Sequence, residues 1–202
     1  MTQIRVSWLV ISLLLVMAPF GGQTRANSLD YAKGDMAIGS KDAPVTIIEY
    51  ASMTCPHCAS FHLGPFKELK SKYIDTGKVR MIFREFPFDP LALQASMLAR
   101  CTGEKRYFGM LKVLFKNLSK WAQVSDPQKA LAKIARLGGF TEARFKACMA
   151  DQELADMILR SRLTGNKEFG VVSTPSFIVN GVKVSGNLNA AEWDELLATY
   201  LK

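Results

Sequence analysis

The feature that most constrains this chain is a four-residue run, Cys55-Pro56-His57-Cys58, set just after an apolar, β-branched stretch from Val45 to Ala51. That stretch is apolar on both faces, as expected of a strand buried at the centre of a sheet. Pro56 suits the first turn of a helix, where its missing N–H leaves nothing unsatisfied. A buried strand, a short connection and a helix start are therefore required, with two thiols one turn apart at the helix entrance. Thiols at this spacing can close a small disulfide ring, and the first lies over unpaired backbone N–H groups that favour a thiolate. On this reading Cys55 is the exposed nucleophile and leaving group, and Cys58, one turn inside, is the resolving thiol. His57 can add positive charge or a hydrogen bond beside the Cys55 sulfur. A low-pKa sulfur leaves readily, so electrons would pass from substrate to this protein.

Other uses of the pair fit less well. Zinc needs two more ligands, and the remaining candidates are His57, His62 and two isolated cysteines, with no second Cys-x-x-Cys. Covalent haem requires His directly after the second cysteine, where the chain has Ala59. Neither a metal nor another cofactor is expected. A purely structural bridge stays open, because a two-residue spacer alone is only moderately specific.

Around the motif, a helix is expected to run to about Lys72, then a strand from Val79 to Arg84 pairing parallel with the first. Asn27 to Asp42 reads as a lead-in with Met36 to Ile38 as an edge strand. From Pro90 to about Phe169 the apolar residues recur at three- and four-residue spacing, which predicts several helices with boundaries at Asp126-Pro127, Gly138-Gly139 and Thr141. The period then returns to two in Ser176 to Val179 and Val182 to Val184, separated by Asn180-Gly181, a strong hairpin signal. A last helix from Ala190 to Leu201 opens on Asn189 with Glu192 three residues on, close to a capping box. The order is that of an α/β, thioredoxin-like fold interrupted by a helical subdomain at about 90–169.

With 202 residues, one well-buried domain is expected. Met1 to Arg5 is a basic start followed by a short apolar run to Ala18, the pattern of a secretory signal, with Thr24-Arg25-Ala26 as the cleavage site. An uncleaved anchor is the rival, but Val6 to Phe20 is shorter than the roughly 20 apolar residues a spanning helix needs. The domain organisation is then a signal peptide, 1–26, and an exported domain, 27–202. Its removal takes Arg5 and Arg25 and no acid, lowering the net charge from +8 to +6. That excess is interleaved with Asp and Glu, so a solvated surface explains it better than nucleic acid. All four cysteines follow the signal, and an even count in an oxidising compartment suggests two bridges.

The residues Glu49 to Cys58, with Val172-Ser-Thr-Pro175-Ser-Phe-Ile downstream, resemble the DsbA family of periplasmic disulfide oxidases over almost the whole exported part. The resemblance implies that Thr174-Pro175 carries a cis peptide bond facing the active disulfide, with the backbone before Pro175 pairing with substrate. Physically, a residue without an N–H cannot compete for the sulfur. Glu49 resembles the family's acid beneath the site and would relay a proton to or from Cys58; a solvated edge position is the alternative. Thr174 departs from oxidases that carry a larger apolar residue there and is shared with isomerases.

Cys101 and Cys148 fall in separate helices of the insertion. A second redox pair and a structural staple are both conceivable, and the staple is favoured because neither has a close partner or a helix-start proline. Phe108, Leu111, Leu114 and Phe115 share one helical face and read as core. His62 reads as a helix-surface residue, and Met53 and Thr54 as lining a shallow groove for unfolded substrate.

Three functions compete. The first is a monomeric periplasmic oxidase that introduces disulfides into reduced or unfolded exported proteins and is reoxidised by a membrane DsbB-like quinone reductase. The second is an isomerase or reductase on the same fold, although known isomerases carry an N-terminal dimerisation domain for which Asn27 to Val45 is too short. The third is a non-catalytic binding or holdase module.

Overall fold

The computed structural model describes residues 34–202, and the expected signal segment lies outside them. A five-stranded mixed sheet in the order β1-β3-β2-β4-β5 forms the centre. Its strands are β1 (Met36–Ile38), β2 (Val45–Ala51), β3 (Val79–Glu85), β4 (Ser176–Val179) and β5 (Val182–Ser185). β2 and β3 run parallel from Val45 opposite Val79 to Ala51 opposite Glu85; the other three pairings are antiparallel. β2 is central, which is why its apolar residues occupy both faces. Asn180 at φ 44° and Gly181 at φ 93° supply the two positive dihedrals of the β4–β5 hairpin.

The helix after the thiol motif is broken, unlike the single helix expected from the sequence. α1 (Pro56–Leu63) ends at Gly64, whose N–H bonds to the carbonyls of Ser60 and Phe61. Pro65 then opens α2 (Pro65–Leu69) and has no N–H to continue the first helix. The chain leaves through a wider turn over Lys70–Ile74, closed by Asp75 N–H to Lys70 O at 2.8 Å.

Between β3 and β4 lie six helices: α3 (Pro90–Cys101), α4 (Glu104–Lys116), α5 (Leu118–Ala122), α6 (Pro127–Leu137), α7 (Glu142–Met149) and α8 (Gln152–Phe169). Four start on a side chain that accepts a backbone N–H, from Asp89, Asp126, Thr141 and Asp151, so the boundaries read from sequence have a physical cause. α9 (Ala190–Ala198) carries the full capping box between Asn189 and Glu192 and stops three residues short of the expected Leu201.

Alternation along β2 decides what lies under α1. Val45 and Ile47 pack with Phe61 of α1 and Trp193 and Leu197 of α9, whereas Ile48 and Tyr50 pack on the opposite face. Glu49, in step with Val45 and Ile47, therefore points toward α1. On the other face α8 lies close to β2, since a Cβ at Gly165 would fall 2.5 Å from the Tyr50 ring. The helical insertion has its own core, which includes Leu111, Leu114, Phe115 and Trp121 and joins the sheet through Ala51, Met53, Cys58 and Phe83; Phe108 packs on it from a half-buried position.

Candidate active site

Cys55 occupies the N-cap of α1, with extended backbone angles, and its side chain is half-buried. Both Cys55 and Cys58 are unbonded thiols here, and Cys58 is fully buried. Facing them is the Thr174-Pro175 cis peptide, and the Cys55 sulfur lies 3.3 Å from the Thr174 carbonyl oxygen, to which it donates when protonated. The Thr174 hydroxyl is buried and, among the described residues, has no well-formed hydrogen bond of its own.

The two sulfurs have very different acidities. Cys55 is lowered from 9.0 to about 5, first because the Cys58 thiol donates to it. Burial opposes this, and the Thr174 hydroxyl and the backbone N–H groups of Cys58 and His57 add to it. Cys58 is pushed far up by burial, then by its role as donor to Cys55 and by the nearby Glu49 charge. One sulfur is thus a thiolate at neutral pH and its neighbour a thiol, an asymmetry fitted to exchange through Cys55. His57 contributes through its backbone, while its side chain is exposed.

Glu49 is completely buried in β2, and both its carboxylate oxygens lie within hydrogen-bond distance of His62 Nε2, at 3.0 and 2.9 Å. His62 is therefore not a helix-surface residue: it is only 5% exposed and faces the sheet. The sequence did hold a signal for it, because Cys58 and His62 are four apart and share one face of α1. Met53 also departs from its expected place in a substrate groove. Its side chain is fully buried against the insertion core, whereas Thr54 stays half-exposed and donates to Asp89 Oδ2 at 2.8 Å. Asp89 caps α3 as well, so it ties the active-site turn to the first helix of the insertion.

Away from this site, Cys101 and Cys148 are disulfide-bonded, joining the ends of α3 and α7. The structure thus brings together Cys55, Cys58, Thr174, Pro175 and Glu49, adds His62, and sets the second cysteine pair apart.

A family model described as thioredoxin matches residues 31–199. The crystal structure of Wolbachia pipientis alpha-DsbA1 superposes with a TM-score of 0.79 at 32% identity, covering 85% of this chain and 92% of that one. The chain belongs to the DsbA family of thioredoxin-like proteins. Another relative, a provisionally named protein-disulfide oxidoreductase of Rickettsia bellii, is 38% identical over 152 residues, 75% of this chain. This DsbA-family chain spans 59% of that relative's length. The oxidised BdbD of Bacillus subtilis shares the fold at a TM-score of 0.71 and 21% identity, covering 84% of this chain and 94% of its own.

Proposed function

We propose that this DsbA-family chain is an exported, monomeric protein-disulfide oxidase that hands its Cys55–Cys58 disulfide to reduced or unfolded proteins in the periplasm. The observation that carries this reading is the placement of a half-buried Cys55 at the N-cap of α1, over a buried Cys58 and facing the Thr174-Pro175 cis peptide, which lowers the Cys55 pKa to about 5. An acidic thiol is a good leaving group, so a disulfide containing it is readily given away. In the forward reaction a substrate thiolate attacks the Cys55 sulfur, Cys58 leaves with the electron pair and takes up a proton, and a mixed disulfide forms. A second substrate thiolate then attacks its own mixed disulfide and expels Cys55 as the thiolate. The Thr174 backbone pairs with the substrate chain, Pro175 keeps an N–H away from the sulfur, and Glu49 exchanges the Cys58 proton. A membrane-embedded quinone reductase of the DsbB kind reoxidises the dithiol. No helix among the described residues is long and apolar enough to cross a membrane.

An isomerase is the second reading, supported by Thr174, which resembles the residue isomerases carry before the cis proline. The Cys101–Cys148 bridge serves as a staple in both. The test of exchange itself is mutational: Cys55→Ser should lose oxidation of a reduced substrate by at least ~1000-fold, because no other exposed thiolate replaces the nucleophile. Cys58→Ser should accumulate mixed disulfides through Cys55, visible on a non-reducing gel. Mixed disulfides formed by Cys55→Ser would overturn the assignment.

A further inference from the structure

Beneath Cys58 the fold buries an acid together with a base. Glu49 is flanked in the sheet by Phe83 of β3 and Phe177 of β4, neither of which offers a donor. Among the described residues its carboxylate has one hydrogen-bonding partner, His62. The His62 ring stacks on Phe115 of α4, with centroids 4.8 Å apart and planes at 20°, and also meets Phe66 and Phe83. Three per cent of the His62 side chain reaches solvent, and none of Glu49 does.

This arrangement bears on a requirement of thiol exchange. Each closing of the Cys55–Cys58 disulfide must remove a proton from Cys58, and each opening must supply one. Cys58 is sealed from solvent. Glu49 can take that proton, but a carboxyl with no solvent contact can serve only once unless it has an outlet. On the exchange reading above, we propose that His62 is that outlet: it holds the Glu49 carboxyl beneath Cys58 and passes the proton between that carboxyl and solvent.

In the closing direction the Cys58 S–H bond breaks and the proton goes to Glu49. The Cys58 sulfur forms a bond to the Cys55 sulfur, and the bond from Cys55 to its partner breaks. The partner sulfur leaves with the electron pair as a thiolate, and Glu49 passes its proton through His62. Opening runs the same path in reverse.

Other titratable groups nearby are committed elsewhere. Tyr107 of α4 donates to Glu85 of β3 at 2.8 Å, and Arg100 of α3 donates to both Glu85 oxygens at 2.6 Å. Burial and the Glu85 charge push the Tyr107 hydroxyl well above its ordinary value, so it stays protonated. Arg84 bonds Asp35 and Tyr50, the latter on the opposite face of the sheet from Glu49. On α2, Lys67 and Glu68 are exposed.

A single turnover resolves the proposal. Reduced protein is mixed with glutathione disulfide, quenched with acid at intervals and weighed by mass spectrometry, which separates formation of the Cys55–glutathione mixed disulfide from its closure to Cys55–Cys58. His62→Gln keeps a donor against Glu49 but cannot carry a proton. It is expected to form the mixed disulfide at the wild-type rate and to close it about 10- to 100-fold more slowly at neutral pH, recovering as hydroxide rises. The double variant Glu49→Gln/His62→Gln, which removes the buried charge and so protects the fold, is expected to close no more slowly than Glu49→Gln alone, because both groups lie on one path. Wild-type closure in His62→Gln, slow closure without recovery at high pH, or additive losses in the double variant would overturn the role of His62. A wild-type protein that stays a dithiol, forming neither the glutathione mixed disulfide nor the Cys55–Cys58 bond, would instead overturn the exchange reading beneath it.

Discussion

Two cysteine pairs share this chain, and they sit at opposite ends of their helices. Cys55 caps the N-terminus of α1, where backbone N–H groups and the positive end of the dipole favour a thiolate. Cys101 is the last residue of α3, and Cys148 is next to last in α7, where unpaired carbonyls and the negative end disfavour one. The first pair is split into a thiolate and a thiol. The second is closed across a Cα–Cα distance of 6.2 Å, with the Cys148 side chain buried in the core of the insertion. A second thiol one turn away as donor, together with a place at a helix start, separates the reactive pair from the inert one.

The sharpest way to break that comparison is to remove the inert pair. The bridge joins residues 47 apart in sequence, and in the chain-entropy model a loop of this size stabilises by about 4 kcal/mol. Cys101→Ala/Cys148→Ala should therefore lower unfolding stability by about that amount in a denaturant titration. The Cys55 pKa, read from thiolate absorbance in the ultraviolet, should stay at about 5, because the groups that lower it all lie around α1 and the cis proline. A Cys55 titration that moves with the distant bridge would show that the two regions are coupled through the insertion.

The same contrast explains what the sequence made legible. The continuous apolar, β-branched run of β2, the Asn180-Gly181 turn and the Asp126-Pro127 helix start are local signals with local causes, so strands, hairpin and most helix boundaries can be read directly. The broken helix after Leu63 was equally local, and the Gly64-Pro65 pair marks it. His62 was different: a lone His on a short helix reads as surface, and only the meeting of α1, β2 and α4 buries it against Glu49 and Phe115. Met53 failed for a related reason, since a residue two before the reactive thiol gives no sign that the insertion will cover it.

A smaller effect separates oxidised from reduced protein. The Cys55 pKa is depressed on folding, so the stabilisation it brings is fully present above the unfolded value, near 9, and is lost as pH falls through about 5. At neutral pH a fall of two below the surrounding pH would give about 2.7 kcal/mol, and the half-exposed position of the sulfur reduces this to about 1–2 kcal/mol. Only the reduced form has the thiolate. Reduced protein should therefore gain about 1–2 kcal/mol on oxidised protein between pH 5 and pH 7–8 in calorimetry, an amount comparable with what closing so short a loop gives the oxidised form. A difference between the two forms that stays constant from pH 5 to 8 would show that folding does not stabilise a Cys55 thiolate.

The finest test concerns one hydroxyl. Thr174 Oγ1 is buried without a well-formed hydrogen bond among the described residues and helps to lower the pKa of both sulfurs. Its share in Cys55 ranks behind the Cys58 hydrogen bond and burial, so Thr174→Val should raise the Cys55 pKa by less than about one and leave the fold intact. Even then Cys55 remains mostly thiolate at pH 7, so loss of thiolate cannot dominate the kinetics there. A more basic sulfur is a better nucleophile and a poorer leaving group, with a dependence of roughly half a log unit per pKa unit. The variant should thus attack glutathione disulfide up to about threefold faster at pH 7 and release substrate from Cys55 more slowly, while at pH 5 its attack should gain less or fall. The gain of the reduced form on the oxidised one should shrink by up to about 1 kcal/mol at the same time. A Cys55 titration unchanged in Thr174→Val would remove the hydroxyl from the site, leaving the helix start and Cys58 to set the asymmetry alone.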